Sequence, residues 1–127
     1  MTTNAVGVDI IEIERVERAL GRFGPRFLGR IYTPLEAAFC GGRVSELAAR
    51  FAAKEAVMKA LGLGWRAMGW REIEILNDPL GKPTVTLRGG AQRAAERQGI
   101  AAIHVSLSHT RALAFASALA ISHPSAR

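Results

Sequence analysis

Cysteine, aromatic residues and long apolar runs are all scarce in this chain of 127 residues. The single cysteine, Cys40, excludes an internal disulfide and a zinc site built from clustered cysteines. Apolar runs fall well short of the roughly 20 residues that span a bilayer, and the first four residues lack the basic and apolar segments of a signal peptide. We therefore expect a cytoplasmic protein that does not bind membranes.

Charge is present in excess of one sign. The chain has 17 Lys and Arg residues against 11 Asp and Glu, a net charge of +6, which predicts attraction to polyanions such as nucleic acid, a phosphorylated small molecule or an acidic protein. Aromatic residues make up only 6% of the chain, which argues against a base-stacking surface for single-stranded nucleic acid. The length and the absence of linkers predict one domain over residues 1–127, with a frayed tail over residues 122–127.

The apolar periodicity predicts an α+β fold, in which a mainly antiparallel sheet packs against one long helix, with short helices beside it. The long helix is Ala-rich and runs from Val44 to Leu61. The first strand, Val6–Ile13, is rich in β-branched residues and is predicted to be buried on both faces. The remaining predicted strands are Glu72–Leu76, Pro83–Leu87, Ile103–Ser108 and Ala112–Ile121. Shorter helices are predicted from about Glu14, over Arg26–Ile31, over Leu35–Phe39 and over Ala91–Gln98.

Two carboxylates stand in unlike surroundings. Asp9 is the only charge in the apolar segment Ala5–Ile11, and Glu55 lies on the long helix. A charge inside an apolar strand is costly unless it is paired, and Mg²⁺ commonly takes one or two protein carboxylates, with phosphate oxygens and waters as its other ligands. We interpret the pair as a divalent-metal site that handles phosphate. The alternative is that Asp9 is an ordinary solvated carboxylate near a strand end.

The long helix also carries cations near Glu55. Glu55 and Lys59 are four residues apart, beside small residues that we expect to leave space for a ligand. Lys54 falls in the middle of the apolar stripe. The alternative is that Glu55 and Lys59 form a surface ion pair worth a few tenths of a kcal/mol and that Lys54 extends from the stripe to water.

A polar strand face precedes the last strand. In the segment His104–Thr110, alternation places His104, Ser106 and Ser108 on one face, and His109 lies where the strand ends. These groups either satisfy one another or line a phosphate site, with His109 as a donor or acid–base group.

The three segments together carry a family resemblance. Gly7-Val8-Asp9-Ile10, Arg50-Phe51-Ala52-Ala53-Lys54-Glu55-Ala56 with Lys59-Ala60, and Val105-Ser106-Leu107-Ser108-His109-Thr110 resemble the small bacterial holo-acyl-carrier-protein synthases, a group of 4′-phosphopantetheinyl transferases. Gly81-Lys82-Pro83 is a fourth, weaker match. The likeness covers nearly the whole chain, in the order of the family.

The resemblance implies a function. The family transfers the phosphopantetheine arm of coenzyme A to a serine hydroxyl of apo acyl carrier protein, leaves adenosine 3′,5′-bisphosphate, requires Mg²⁺ and supports fatty acid biosynthesis. Its members are usually homotrimers with active sites at subunit interfaces. In such an assembly, the Asp9 and Glu55 of one active site can belong to different chains.

The resemblance also implies residue roles. Asp9 and Glu55 match the metal ligands, and the catalytic set is Glu55, Lys59 and His109. The positions matched around coenzyme A are Arg50, Lys54, Gly62, Gly81, Lys82, Pro83, Ser108 and His109.

Four arginines recur at spacings of three and four in the first helical region: Arg15, Arg18, Arg22 and Arg26. They share a face if the helix continues past Gly21. Either this is a solvated face neutralised by neighbouring glutamates or, as the resemblance implies, it docks the acidic helix of acyl carrier protein.

Two other classes compete with the transferase. A small basic nucleic-acid-binding module would explain the net charge, but it gives no reason for Asp9 and Glu55. A catalytically silent trimeric scaffold is the third possibility, which loss of carrier modification on substituting either carboxylate would exclude.

Overall fold

The computed structural model describes residues 4–64 and 68–124. The strands within these residues are β1 (Ala5–Glu12), β2 (Ile73–Asn77), β3 (Pro83–Leu87), β4 (Ile100–His109) and β5 (Leu113–Ser122). Its helices are α1 (Ile13–Phe23), α2 (Pro25–Ile31), α3 (Pro34–Cys40), α4 (Val44–Ala60) and α5 (Gly89–Arg97), with a short 3₁₀ helix over Trp70–Glu72. The predicted α+β class is confirmed.

The strands form two antiparallel sheets. One has three strands in the order β1-β5-β4, and the other is the hairpin β2-β3. Strand β4 is longer than predicted, because it begins at Ile100 and ends at His109, whereas β5 has the predicted length and is shifted by one residue toward Ser122. Ser122 N–H donates to Asn4 Oδ1 and His123 N–H donates to the Gly99 carbonyl, so the predicted frayed tail does not begin at residue 122. Residues 125–127 lie outside the described part.

Helix α4 packs directly behind β1. A methyl group at Gly7 would lie 1.8 Å from the carbonyl oxygen of Ala56, so the absence of a side chain allows this close approach. Ala52 and Ala56 are fully buried in the same core cluster. The small residues of α4 therefore make room for core packing, and our expectation that they leave space for a ligand is wrong at these positions.

The outer face of the three-stranded sheet is apolar and exposed along β1 and β5. The residues are Val6, Val8 and Ile10 of β1 with Leu113, Phe115 and Leu119 of β5, each between 38% and 66% exposed. We call these six residues the apolar sheet face. The prediction that the first strand is buried on both faces is therefore wrong for the single chain, since only the face of Gly7 contacts α4.

Lys54 is buried together with its polar partners. The Lys54 ammonium lies 2.8 Å from Glu36 Oε1 and donates to the carbonyl oxygens of Trp70 and Ile73. Lys54 is completely buried, so it does not extend to water. This ion pair fastens α4 to α3 and to the start of β2, where Glu36 Oε2 also accepts the N–H of Ile75.

No helix within residues 4–64 and 68–124 combines the length and apolar character needed to cross a bilayer.

Candidate functional site

Asp9 and Glu55 line one cavity of a single chain. This cavity of about 380 Å³, the carboxylate cavity, lies between β1, α1, α2 and α4. Its lining residues are Asp9, Ile10, Ile11, Arg15, Val16, Ala19, Phe27, Phe51 and Glu55. Asp9 arrives there because strand alternation gives it the same side of β1 as Gly7, which rests on α4. The two carboxylates therefore do not need two chains to meet.

The electrostatics of Glu55 reflect this proximity. Burial raises the pKa of the Glu55 carboxyl, the neighbouring Asp9 charge raises it further, and Lys59 and Arg15 oppose the shift. Two carboxylates in one cavity disfavour each other's ionised form unless a cation or a proton lies between them.

Lys59 reaches from the last turn of α4 to β1. Its Nζ lies 3.1 Å from Asp9 Oδ1 and donates to the Val8 carbonyl oxygen at 3.0 Å. The ion pair that Lys59 makes is therefore with Asp9 across the fold, whereas the sequence spacing suggested Glu55 on the same helix.

A second cavity gathers most of the predicted coenzyme A residues. This cavity of about 470 Å³, the histidine cavity, lies at the edge of β4 beside the hairpin and α4. Its lining residues are Glu46, Ala49, Arg50, Asn77, Gly81, Lys82, Pro83, Val105, Ser106, Leu107, Ser108 and His109. His109 is exposed at the end of β4. The two cavities share no lining residue.

Arg50 is held rigidly at the wall of the histidine cavity. Its guanidinium donates to Ile75 O at 3.2 Å, to Glu46 Oε2 at 3.0 Å and to Asn77 Oδ1 at 3.1 Å, and it lies over the ring of Phe39. Only 1% of Arg50 is exposed, so its main contribution to the cavity is a fixed positive charge.

Two predicted coenzyme A residues lie outside both cavities. Lys54 is fully buried and donates to three protein oxygens, and because an ammonium has three hydrogens it has none left for a ligand. Gly62 follows α4 with a φ of 70° and donates its N–H to the Lys59 carbonyl. It therefore ends the helix that carries Glu55 and Lys59.

The predicted docking arginines separate into two groups. Arg15 lines the carboxylate cavity, whereas Arg18, Arg22 and Arg26 lie around Phe23 in two neighbouring surface pockets. Helix α1 continues past Gly21 as required, but it ends at Phe23, so Arg26 comes from α2. Phe23 is 47% exposed, which gives this basic surface an apolar centre.

The donor set fits a magnesium ion. Within residues 4–64 and 68–124, no three His, Cys, Asp or Glu side chains cluster in the way a fully protein-built metal site would require. Two hard carboxylate ligands in one cavity, which repel each other, nevertheless suit Mg²⁺, which fills its octahedron with phosphate oxygens and waters.

Sequence reasoning missed several residues of these cavities. Glu46 and Asn77 fix Arg50, and Phe27 and Phe51 form apolar wall of the carboxylate cavity. Two of them left a signal in the sequence: Glu46 lies four residues before Arg50 on a predicted helix, and Phe51 belongs to a segment that carries the family resemblance. Asn77 contacts Arg50 across 27 positions of the chain, which no local pattern reveals.

Known proteins resemble this chain in sequence over nearly its full length. A sequence model described as the 4′-phosphopantetheinyl transferase superfamily matches residues 5–116. A holo-[acyl-carrier-protein] synthase from Dehalococcoides mccartyi is 53% identical over 114 residues, which cover 90% of this chain and 95% of the relative. The protein of the same name from Moorella thermoacetica is 51% identical over 116 residues, covering 89% and 90% respectively.

Solved structures agree with the fold. The holo-[acyl-carrier-protein] synthase of Helicobacter pylori, in complex with coenzyme A, superposes with a TM-score of 0.83 at 32% identity, over 91% of this chain and 98% of that one. The synthase of Neisseria meningitidis gives a TM-score of 0.83 at 40% identity, over 91% and 96%.

Proposed function

This chain belongs to the 4′-phosphopantetheinyl transferase superfamily, and we propose that it transfers the 4′-phosphopantetheine group of coenzyme A to a serine hydroxyl of apo acyl carrier protein. The products are holo carrier protein and adenosine 3′,5′-bisphosphate, and the reaction supplies carrier protein for fatty acid biosynthesis in the cytoplasm. The likeness to holo-[acyl-carrier-protein] synthases at more than 50% identity supports this reaction.

The observation that carries the proposal is the meeting of Asp9 and Glu55 in one cavity. An apolar strand and an Ala-rich helix have no structural need for two adjacent carboxylates, and their mutual repulsion lowers stability. Such an arrangement is typical of a functional site, where a bound cation compensates the repulsion. Neither a nucleic-acid-binding module nor a silent scaffold accounts for it.

Asp9 and Glu55 are the residues that would hold Mg²⁺. When bound, this ion neutralises charge on the diphosphate of coenzyme A and polarises the bond to the leaving phosphate. Phosphoryl-type transfer depends mainly on positioning and charge neutralisation. The remaining cations of the site, Lys59 and Arg15, lie beside the two carboxylates and act in the same direction.

The transfer exchanges one phosphorus–oxygen bond for another. The serine Oγ of the carrier attacks the phosphorus that bears the pantetheine arm, and the bond from this phosphorus to the bridging oxygen breaks. The electron pair of that bond leaves with adenosine 3′,5′-bisphosphate. The serine proton passes to Glu55, directly or through a bound water, because Glu55 is a carboxylate of the cavity in which the reacting phosphate would lie. Lys59 and His109 contact the diphosphate and hold it in line.

The active chain is a homotrimer with its sites at the subunit interfaces. The apolar sheet face supports this assembly, because an exposed patch of six large apolar side chains is unusual on a monomer. The two cavities share no lining residue. This also supports the assembly, because a ligand that contacts residues of both cavities would then lie between two subunits. In the trimer, the histidine cavity of one subunit adjoins the carboxylate cavity of its neighbour, and coenzyme A spans the two.

The carrier protein docks on the arginines that surround Phe23. Arg18, Arg22 and Arg26 present positive charge around an exposed aromatic ring. An acidic, amphipathic helix of the carrier is complementary to such a surface. This charge complementarity mainly increases the association rate.

The decisive experiment mixes the purified chain with coenzyme A, Mg²⁺ and apo acyl carrier protein and measures the mass of the carrier. The expected result is a mass gain of one phosphopantetheine group. Asp9→Asn and Glu55→Gln should abolish the gain while keeping the fold, as judged by circular dichroism. A carrier whose mass does not change in the presence of the wild-type chain would refute the proposed function.

A further inference from the structure

Lys59 is positioned as a cation for Asp9 before any ligand arrives. The ammonium lies 3.1 Å from Asp9 Oδ1 and 3.0 Å from the Val8 carbonyl oxygen. The Lys59 side chain is 55% exposed, while that of Asp9 is 13% exposed. The lysine therefore lies on the open side of a carboxylate that the fold otherwise shields.

The two carboxylates already have protein cations beside them before a metal binds. Asp9 and Glu55 face Arg15, which lines the same cavity, and Lys59, which contacts Asp9. A divalent cation entering this group meets two protein cations as well as the two carboxylates. The incoming ion would bind a carboxylate oxygen at about 2.0–2.1 Å, so it would compete with the ammonium for Asp9 and be repelled by it.

The diphosphate of coenzyme A removes this conflict. It supplies negative charge to the metal and offers Lys59 a new partner. The exposure of Lys59 and the flexibility of a lysine side chain allow this movement without unfolding any element.

We propose that Lys59 is the counter-ion of Asp9 in the substrate-free chain and that it moves from Asp9 to the diphosphate when coenzyme A binds. Metal and coenzyme A then bind cooperatively, and the metal alone binds weakly. This inference rests on the proposed function for its ligand, and it gives Lys59 a role before the transfer step as well as during it.

The test measures metal affinity directly. Mn²⁺ replaces Mg²⁺ because both prefer hard oxygen ligands and free Mn²⁺ is counted by electron paramagnetic resonance. The wild-type chain is titrated without and with saturating coenzyme A, and coenzyme A should tighten Mn²⁺ binding about 10-fold, within the usual range of coupling between two ligands. Lys59→Met should bind Mn²⁺ about 10-fold more tightly than wild type without coenzyme A, and the gain on adding coenzyme A should shrink.

Matched variants separate charge from shape. Lys59→Arg keeps the cation and should retain the weak metal binding of the wild type, whereas Lys59→Gln is a second neutral variant and should behave as Lys59→Met does. If both neutral variants bind Mn²⁺ no more tightly than wild type in the absence of coenzyme A, the counter-ion role is refuted.

A further control distinguishes this inference from the proposed function. Asp9→Asn should lose Mn²⁺ binding. If Asp9→Asn binds Mn²⁺ as the wild type does, the metal lies elsewhere and the inference on Lys59 is refuted. Modification of the carrier by the wild-type chain, measured separately, would still uphold the transferase.

Discussion

Gly7 contacts the backbone of Ala56 so closely that any side chain at position 7 would clash with it. A methyl group added at Gly7 would lie 1.8 Å from the Ala56 carbonyl oxygen. Gly7 and Asp9 lie on the same side of β1. The contact therefore fixes the distance between the strand that carries Asp9 and the helix that carries Glu55.

Gly7→Ala should destabilise the chain by about 3 kcal/mol or more, because the methyl group meets backbone that cannot rotate away. Carrier modification should fall as well, since β1 is displaced with Asp9. Gly21→Ala is the matched control: Gly21 lies within α1 with nothing within 4 Å of an added methyl group, and this change should stabilise by about 0.5–1 kcal/mol. Urea unfolding of both variants checks the contrast, and equal stabilities would contradict it.

Glu55→Gln should stabilise the metal-free chain at neutral pH while abolishing transfer. A carboxyl whose pKa is raised on folding contributes stability below its unfolded pKa and loses it as the pH rises through the folded value. The ionised Glu55 is therefore a net cost at pH 7.5, and the gain on its removal should be at most about 1 kcal/mol because the group is partly exposed.

The control for this effect is pH itself. At about pH 3, more than one unit below the ordinary glutamate pKa of about 4.3, Glu55 is protonated in both the folded and the unfolded chain, and the difference between Glu55→Gln and wild type should vanish. Urea unfolding in the presence of a chelator at both pH values checks this, and a difference that does not depend on pH would contradict the assignment.

Local patterns predicted the positions of Asp9 and Glu55 in the fold better than the contacts of their neighbours. Asp9 could be assigned to a strand face and Glu55 to a helix from periodicity alone, and the structure brings both into one cavity. The burial of Lys54 was not predictable in this way, because its partner Glu36 lies 18 positions away and the two carbonyls that it contacts belong to a segment beyond the end of α4.

The first strand shows the opposite error, because residues predicted to be buried are exposed in the single chain. The sequence pattern predicts that Val6, Val8 and Ile10 are core residues, because a continuous apolar strand is normally buried on both faces. In the single chain they are exposed, and a sequence pattern cannot distinguish burial within one chain from burial between chains.

Lys54→Met should destabilise the fold by about 3–5 kcal/mol, because it leaves the buried Glu36 carboxylate without its cation. Burial lowers the pKa of Lys54 and the Glu36 charge opposes this shift, so the two residues stabilise each other's charged form. The double variant Lys54→Met with Glu36→Gln should recover much of the loss. A double-mutant cycle by urea unfolding measures the coupling, and additive effects would refute it.

Arg22→Glu should lower kcat/KM for the carrier about 10-fold at low salt, through KM, and leave kcat nearly unchanged. The difference should diminish as salt screens the charges. Arg93→Glu on the exposed side of α5 makes the same change of charge away from Phe23 and should have little effect. An equal loss in both variants would point to net charge rather than to a docking surface.

Leu119→Asp should dissociate the trimer that we propose. Leu119 lies on β5, the central strand of the sheet, opposite Val6 of β1 in the strand register. Three copies of a carboxylate at a subunit interface would be desolvated without partners. Leu35→Asp is the matched control, because Leu35 is 60% exposed on α3, outside this face.

Light scattering after size-exclusion chromatography should give the mass of three chains for wild type and Leu35→Asp and a smaller mass for Leu119→Asp. Transfer activity should fall with the mass, because in the trimer that we propose, coenzyme A spans the histidine cavity of one subunit and the carboxylate cavity of the next. A fully active monomer would refute the shared site.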